Sequence, residues 1–268
     1  MVDGNVSAEG DKIMLRQVEF KIKLPQDIKI NSSMGSVFHG ALMDIVGAET
    51  AEWLHAQNAS RPFNQCVYYN RVLGAPFWRI TVLNEEAETR IMEPVINAVG
   101  KELFLRQKNY AIEIGAVTTD KSSSYQKIAD DAFLSDDVPK GGSISMLTAT
   151  SFKRDGEYVI MPEVYLIFQS LLNRWNLFSD KNKLVEQELD KELAGCCHII
   201  GYSLYSQVFS LENSKVTGFR GDIRVRFRAN EMVRRIMGML FAYSQYAGLG
   251  IKTALGMGAV DAQVLFPR

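Results

Sequence analysis

The 268-residue chain is poor in the side chains from which most metal and redox sites are built, with three histidines and three cysteines. Cys66, Cys196 and Cys197 are an odd number, two of them adjacent in a strand-like run, which argues against a disulfide framework and makes reduced, buried thiols the expectation. There is no Cys-x2-Cys pair. In a strand the consecutive Cys196, Cys197 and His198 point to alternate faces, so no structural metal is expected. No apolar run reaches the ~18 residues that a membrane-spanning helix needs. The opening MVDGNVSAEGDK has neither the apolar core nor the basic flank of a signal peptide, so the expectation is a cytoplasmic chain with no membrane partner. A net charge of -1 gives no hint of a polyanion ligand; only the distribution of charge can do so.

With 47% hydrophobic residues the chain can bury a large core, as one large domain or two ordinary ones. Alternation from Leu15 to Leu24 predicts a strand, and helical spacing from Val37 to His55 predicts a helix with Ser36 as its N-cap. Strands over 65–72 and 78–83, a helix over 86–99 and strands over 103–108 and 110–117 complete a βαββαβ order with one extra short strand. The segment from Thr118 to Gly142, rich in turn formers and without a clear core pattern, reads as an ordered extension and linker. Beyond it the order recurs: strand 143–152, helix 162–178, strands 197–209 and 218–227, helix 231–246 and strand 259–265. The expected fold is α+β, with two tandem ferredoxin-like, RRM-like βαββαβ domains on antiparallel sheets, 1–140 and 141–268. The aromatic signature of an RNA recognition motif is missing, so any RNA must be held by loops, glycines and arginines.

Two features point to phosphate contact. Arg224, Arg226 and Arg228 alternate with Val225, Phe227 and Ala229, which places three guanidinium groups on one strand face. Between Lys215 and Lys252 lie eight basic residues against Asp222 and Glu231. Behind that strand and a helix comes YAGLGIKTALGMGAV, in which Gly248, Gly250, Gly256 and Gly258 let backbone amides approach an anion with no Cβ in the way. The order helix, loop, strand is the reverse of a Rossmann turn or P-loop, so nucleotide hydrolysis is disfavoured.

Four stretches, Val37 to Met43, Arg61-Pro62-Phe63 with the strand pair through Trp78, Ser170 to Asn176, and Gly218 to Gly258, resemble the CRISPR repeat-cleaving endoribonucleases of the repeat-associated, ferredoxin-like superfamily. The glycine-rich loop carries most of that likeness. The resemblance implies an enzyme that cuts precursor CRISPR RNA within each repeat without metal or cofactor. In that chemistry a ribose 2′-hydroxyl attacks the adjacent phosphate, leaving 2′,3′-cyclic phosphate and 5′-hydroxyl ends. It also implies repeat RNA as partner, with a CRISPR effector complex and a homodimer as further candidates. A non-catalytic RNA-binding subunit of an effector assembly is the alternative, and a metabolic enzyme using the loop for a nucleotide phosphate is a distant third.

His39, where the family places its catalytic histidine, is the first catalytic candidate. The family's partner tyrosine and lysine have no counterpart: no tyrosine precedes Tyr68 and no lysine lies between Lys29 and Lys101. Ser36 is then the candidate for orienting the 2′-hydroxyl, and Lys23 or Lys29 for stabilising the phosphorane. Arg220, Arg224, Arg226, Arg228 and Lys252, with Gly248, Gly250, Gly256 and Gly258, are the RNA-binding candidates. Arg174 and Trp175 read equally well as core or contact residues. His55 is expected to meet a helix C-terminus, and His198 to be a satisfied core or interface residue.

Overall fold

The computed structural model describes residues 15–56, 60–212 and 214–267. Two antiparallel sheets carry the chain. The first contains β1 (Leu15–Lys23), β2 (Phe63–Asn70), β3 (Ala75–Val82), β4 (Glu102–Leu105) and β5 (Tyr110–Ser123), ordered β2-β3-β1-β5-β4. With β5 as fourth strand this is the ferredoxin-like order, and β4 is the extra edge strand. The second contains β6 (Gly141–Thr150), β9 (Cys197–Ser210), β10 (Lys215–Phe227) and β11 (Val260–Leu265), ordered β11-β6-β10-β9, which repeats the pattern. A small hairpin, β7 (Phe152–Arg154) with β8 (Glu157–Val159), is inserted after β6. The tandem ferredoxin-like expectation is met.

Helix α1 (Gly35–Ala56) covers one face of the first sheet, where Val37, Phe38 and Leu42 bury against Val18, Phe20 and Ile22. The second helix of that half is built from α2 (Glu85–Ala87), a π-turn (Glu88–Met92) and α3 (Glu93–Ile96), with Asn84 capping its start by accepting from the Ala87 amide at 2.8 Å. The expected linker is more structured than its composition suggests. Strand β5 runs on to Ser123, and Ser124 then caps α4 (Tyr125–Phe133), accepting from the Lys127 amide at 3.0 Å. Tyr125 stacks edge-on against Trp175, inside the core of the second half. That core lies under α5 (Val164–Phe178), α6 (Leu189–Gly195) and α7 (Glu231–Ala247). Among the described residues no helix is long and apolar enough to cross a membrane.

The open face of the first sheet is not free. Gln17 and Asn64 donate to the carbonyls of Gln245 and Tyr246 at the end of α7, at 2.8 and 2.5 Å. Glu19 is buried with Arg79 and accepts from Arg79, Tyr68 and Thr119. Arg79 also reaches Asp261 of β11 at 2.8 Å, so the two sheets are tied by charge. Burial would raise the Glu19 pKa, but the Arg79 charge and these hydrogen bonds hold it below the usual carboxylate range. This contact fixes the end of α7, and therefore the loop that follows it, against the first half.

Candidate active site

The chain enters α1 through a 3-10 turn, Ser32–Met34, so Ser36 lies inside the helix and is not its N-cap. Its hydroxyl donates to the Ser33 carbonyl at 3.3 Å, and it lines a polar cavity of about 560 Å³ with Asn31, Lys108, Gln207 and Glu212. Gly35 opens the helix because nothing larger fits: a Cβ there would stand 2.6 Å from the Leu255 carbonyl oxygen and 2.8 Å from Gly256 Cα. The glycine loop thus packs backbone to backbone on the first turn of α1.

His39, one turn further on, lies flat on Phe63 with ring centroids 6.1 Å apart and planes 4° from parallel. Burial lowers its pKa from 6.5 to about 4; the backbone of Ala254, an acceptor in the glycine loop, opposes this, while the charges of Arg61 and His55 add to it. The ring is therefore neutral near pH 7, and its buried Nδ1 has no hydrogen-bond partner among the described residues. A straight helix would put His55 about 24 Å from His39 along the axis. At Gly47, φ of 80° breaks α1, and the bend brings His55 within electrostatic range instead of leaving it at a remote terminus.

The loop is held from both halves of the protein. Gln65 of β2 donates to the carbonyls of Gly35 at 2.7 Å and Ala254 at 3.1 Å, and is itself fixed by Trp78 Nε1 at 2.9 Å. Arg174 of α5 is buried and donates to the Ala247 carbonyl and, at 2.6 Å, to Thr253 Oγ1. Arg174 is thus a structural clamp, and Trp175 is core, its indole donating to the Asn182 carbonyl at 2.6 Å. The glycines themselves do something other than expected. The amides of Gly248, Gly250, Gly256 and Gly258 all donate within the protein, to Ser244, Ser170, Thr253 and Ala149. Their lack of a Cβ serves close packing and positive φ, and an anion cannot take these four amides without displacing those bonds.

The remaining candidates lie apart from His39. Lys23 follows buried Ile22 in β1, so it projects from the sheet face opposite α1, and it pairs with Glu113 at 2.6 Å. The structure therefore does not bring Lys23 to the histidine. Lys29 is exposed in the connection 24–31. Arg224, Arg226 and Arg228 are exposed as alternation requires, while Ile223, Val225 and Phe227 bury toward the helices. The arginines thus occupy the open face of the second sheet, away from the helix layer that holds His39. Arg224 lies over Gly201 of β9, where a Cβ would be 3.0 Å from its guanidinium nitrogen. Arg220 sits half-buried in a cleft of about 570 Å³ between the two open faces, with Lys121, Tyr68 and Gln263. His198 is exposed on the edge strand β9, paired in register with Arg226, and is not a core residue. Lys252 is half-exposed in the loop.

The profile of the CRISPR-associated endoribonuclease Cas6 family matches residues 144–260. A Cas6 of that name from Mycobacterium tuberculosis (strain CDC 1551 / Oshkosh) is 25% identical over 269 residues, covering 98% of this chain and 83% of the relative. The Streptococcus thermophilus Cas6 is 26% identical over 229 residues, covering 84% and 90%. A solved Cas6 product complex superposes with a TM-score of 0.76 at 21% identity over 93% of this chain and 99% of that one. Cas6 of Thermus thermophilus does so with 0.69 at 19% over 95% and 100%. The chain is similar to CRISPR-associated Cas6 endoribonucleases along nearly its whole length. The matched segment spans most of the second sheet and the glycine loop, including Ala254 beside His39, while His39, Arg61 and Phe63 come from the other half. Two residues of this site have no role legible in the sequence, although Arg61 opens the family-like Arg61-Pro62-Phe63 stretch. Arg61 precedes β2 and Gln65 lies within it; the signal is only their position around buried Pro62 and Phe63, where a polar group needs a partner.

Proposed function

We propose that this protein cuts CRISPR repeat sequence in precursor CRISPR RNA by 2′-hydroxyl attack, leaving a 2′,3′-cyclic phosphate and a 5′-hydroxyl. The observation that carries the reading is a neutral imidazole pressed between Phe63 and the glycine loop. A neutral His39 accepts the 2′-hydroxyl proton as the O–P bond forms, and the P–O5′ bond breaks as the leaving oxygen takes a proton from solvent. With one positioned proton acceptor and no lysine or tyrosine beside it in sequence, the acceleration from proton transfer falls at roughly 10²–10⁴-fold. The test is cleavage of repeat RNA by the purified protein in EDTA, against the same RNA lacking the 2′-hydroxyl at the cut. Cutting of the first and not the second supports the reading. Tight binding without cutting makes the chain an RNA-holding subunit.

The arginine face supplies a separate contact. Arg224, Arg226 and Arg228 grip RNA phosphates on the open sheet face, at a distance from the bond that is cut. Arg224→Ala should weaken binding by roughly tenfold at low salt and reduce the slope of log K against log salt by about 0.7–1 unit, with the cleavage rate of bound RNA unchanged. A salt titration by filter binding measures it. An unchanged slope removes Arg224 from the interface.

A further inference from the structure

We infer that Arg61 and His39 together form the pocket for the phosphate at the cut, with Arg61 supplying the positive charge that the nearby sequence otherwise lacks. The inference rests on the reading of His39 given above. Its basis is geometric. The His39 ring lies on Phe63, and Arg61 is two residues earlier on the same extended segment, within about 7 Å along the chain. Arg61 Nη1 and His39 Nδ1 are both buried side-chain nitrogens with no hydrogen-bond partner among the described residues. A buried guanidinium nitrogen without an acceptor costs free energy in proportion to its desolvation, and an anion beside His39, within electrostatic reach of Arg61, would supply that acceptor.

The same pair explains the state of the histidine. Without an anion between them, the Arg61 charge adds to burial in holding the imidazole neutral. A phosphate seated there cancels that charge and accepts from Arg61, while the unprotonated Nδ1 of His39 is left to take the 2′-hydroxyl proton. Arg61 then holds a non-bridging oxygen as charge builds on the phosphorane, the role for which a planar, permanently charged donor is suited. Lys23 cannot do this from the opposite sheet face, where it pairs with Glu113. Ser60, next to Arg61 in the chain, lines a smaller cavity with Lys153, Asn173, Gly250 and Ile251.

The test uses the full chain and two variants, Arg61→Gln and Arg61→Lys. Inorganic phosphate is titrated into each while the ring protons of His39 are followed by NMR against pH. In the wild type the His39 midpoint, about 4 without anion, should rise by at least one unit as phosphate saturates, and in Arg61→Gln it should not respond. Single-turnover cleavage of repeat RNA should fall about 10²-fold in Arg61→Gln and recover in part in Arg61→Lys, with affinity for the 2′-deoxy RNA changed by less than ~10-fold. An Arg61→Gln protein that cleaves at the wild-type rate and keeps the phosphate response overturns the inference. A wild type that does not cleave RNA counts against the nuclease reading instead, and the phosphate response of His39 then decides the anion pocket alone.

Discussion

His39→Ala should lower single-turnover cleavage of repeat RNA by about 10³-fold while leaving RNA affinity within about threefold of the wild type. Among the described residues of the candidate site, the imidazole is the group held neutral by burial and so able to accept a proton near pH 7. On the proposed role its removal takes away proton transfer but not the arginines, which lie on the open face of the second sheet. Folding should survive, because the ring brings an unpartnered buried nitrogen whose loss offsets part of the lost packing on Phe63. An inactive variant with normal affinity and an unshifted melting temperature would be the expected result. Cleavage by His39→Ala at the wild-type rate would assign the chemistry elsewhere.

The pH profile carries the sign of this assignment. As a base His39 works only when neutral, so activity falls as pH drops through its pKa. For the free protein that pKa is about 4, well below the ordinary 6.5, and kcat/KM should therefore stay flat down to roughly pH 5 and decline below it. In the RNA complex a phosphate beside the ring raises the pKa, so the acid limb of the rate of bound RNA should lie at higher pH than that of kcat/KM. Folding stability follows the same linkage. A buried histidine held neutral contributes fully above the unfolded value near 6.5, and that contribution is lost as pH falls toward about 4.

What could be read in the sequence follows from the range over which each signal acts. The periodicity of β10 is a local property, and Arg224, Arg226 and Arg228 face water as alternation demands. The helix 231–246 and the last strand were equally legible, since Asn230 caps the one and the glycine loop bounds the other. The partners of His39 were not. Arg61, Gln65 and Arg174 acquire their roles only when β2, α5 and the loop meet around Gly35. Ser36 and Lys23 were attractive because they are near His39 in sequence. A 3-10 turn ahead of α1 and the alternation of β1 turned them elsewhere. The helix inside the ordered extension is not legible for a related reason: α4 is only nine residues long, and its helical character comes from a serine cap and from Tyr125 inserting beside Trp175.

The glycine loop was legible as a motif but not in its mechanism, and Gly258→Ala separates the two. Gly258 has φ of 66°, and a Cβ there would lie 1.9 Å from the Leu249 carbonyl oxygen. That oxygen belongs to backbone, so no side chain can rotate away to relieve the contact. Gly258 also closes the loop on itself, its carbonyl accepting from Leu249 at 2.8 Å and its amide donating to Ala149 at 3.0 Å. Alanine should therefore destabilise the protein by about 3 kcal/mol or more, combining left-handed strain with displaced backbone, as read by urea denaturation. Gly195→Ala, where a Cβ meets nothing within 4 Å, should stay within about 1 kcal/mol of wild type. Cleavage at a temperature where Gly258→Ala remains folded should fall as well, because a loop pushed off Gly35 no longer presents Ala254 to His39. A loop whose purpose was to offer glycine amides to RNA would respond differently: affinity would fall while the rate of bound RNA held. The packing role demands the reverse, a slower bound-state rate with affinity set mainly by the distant arginines.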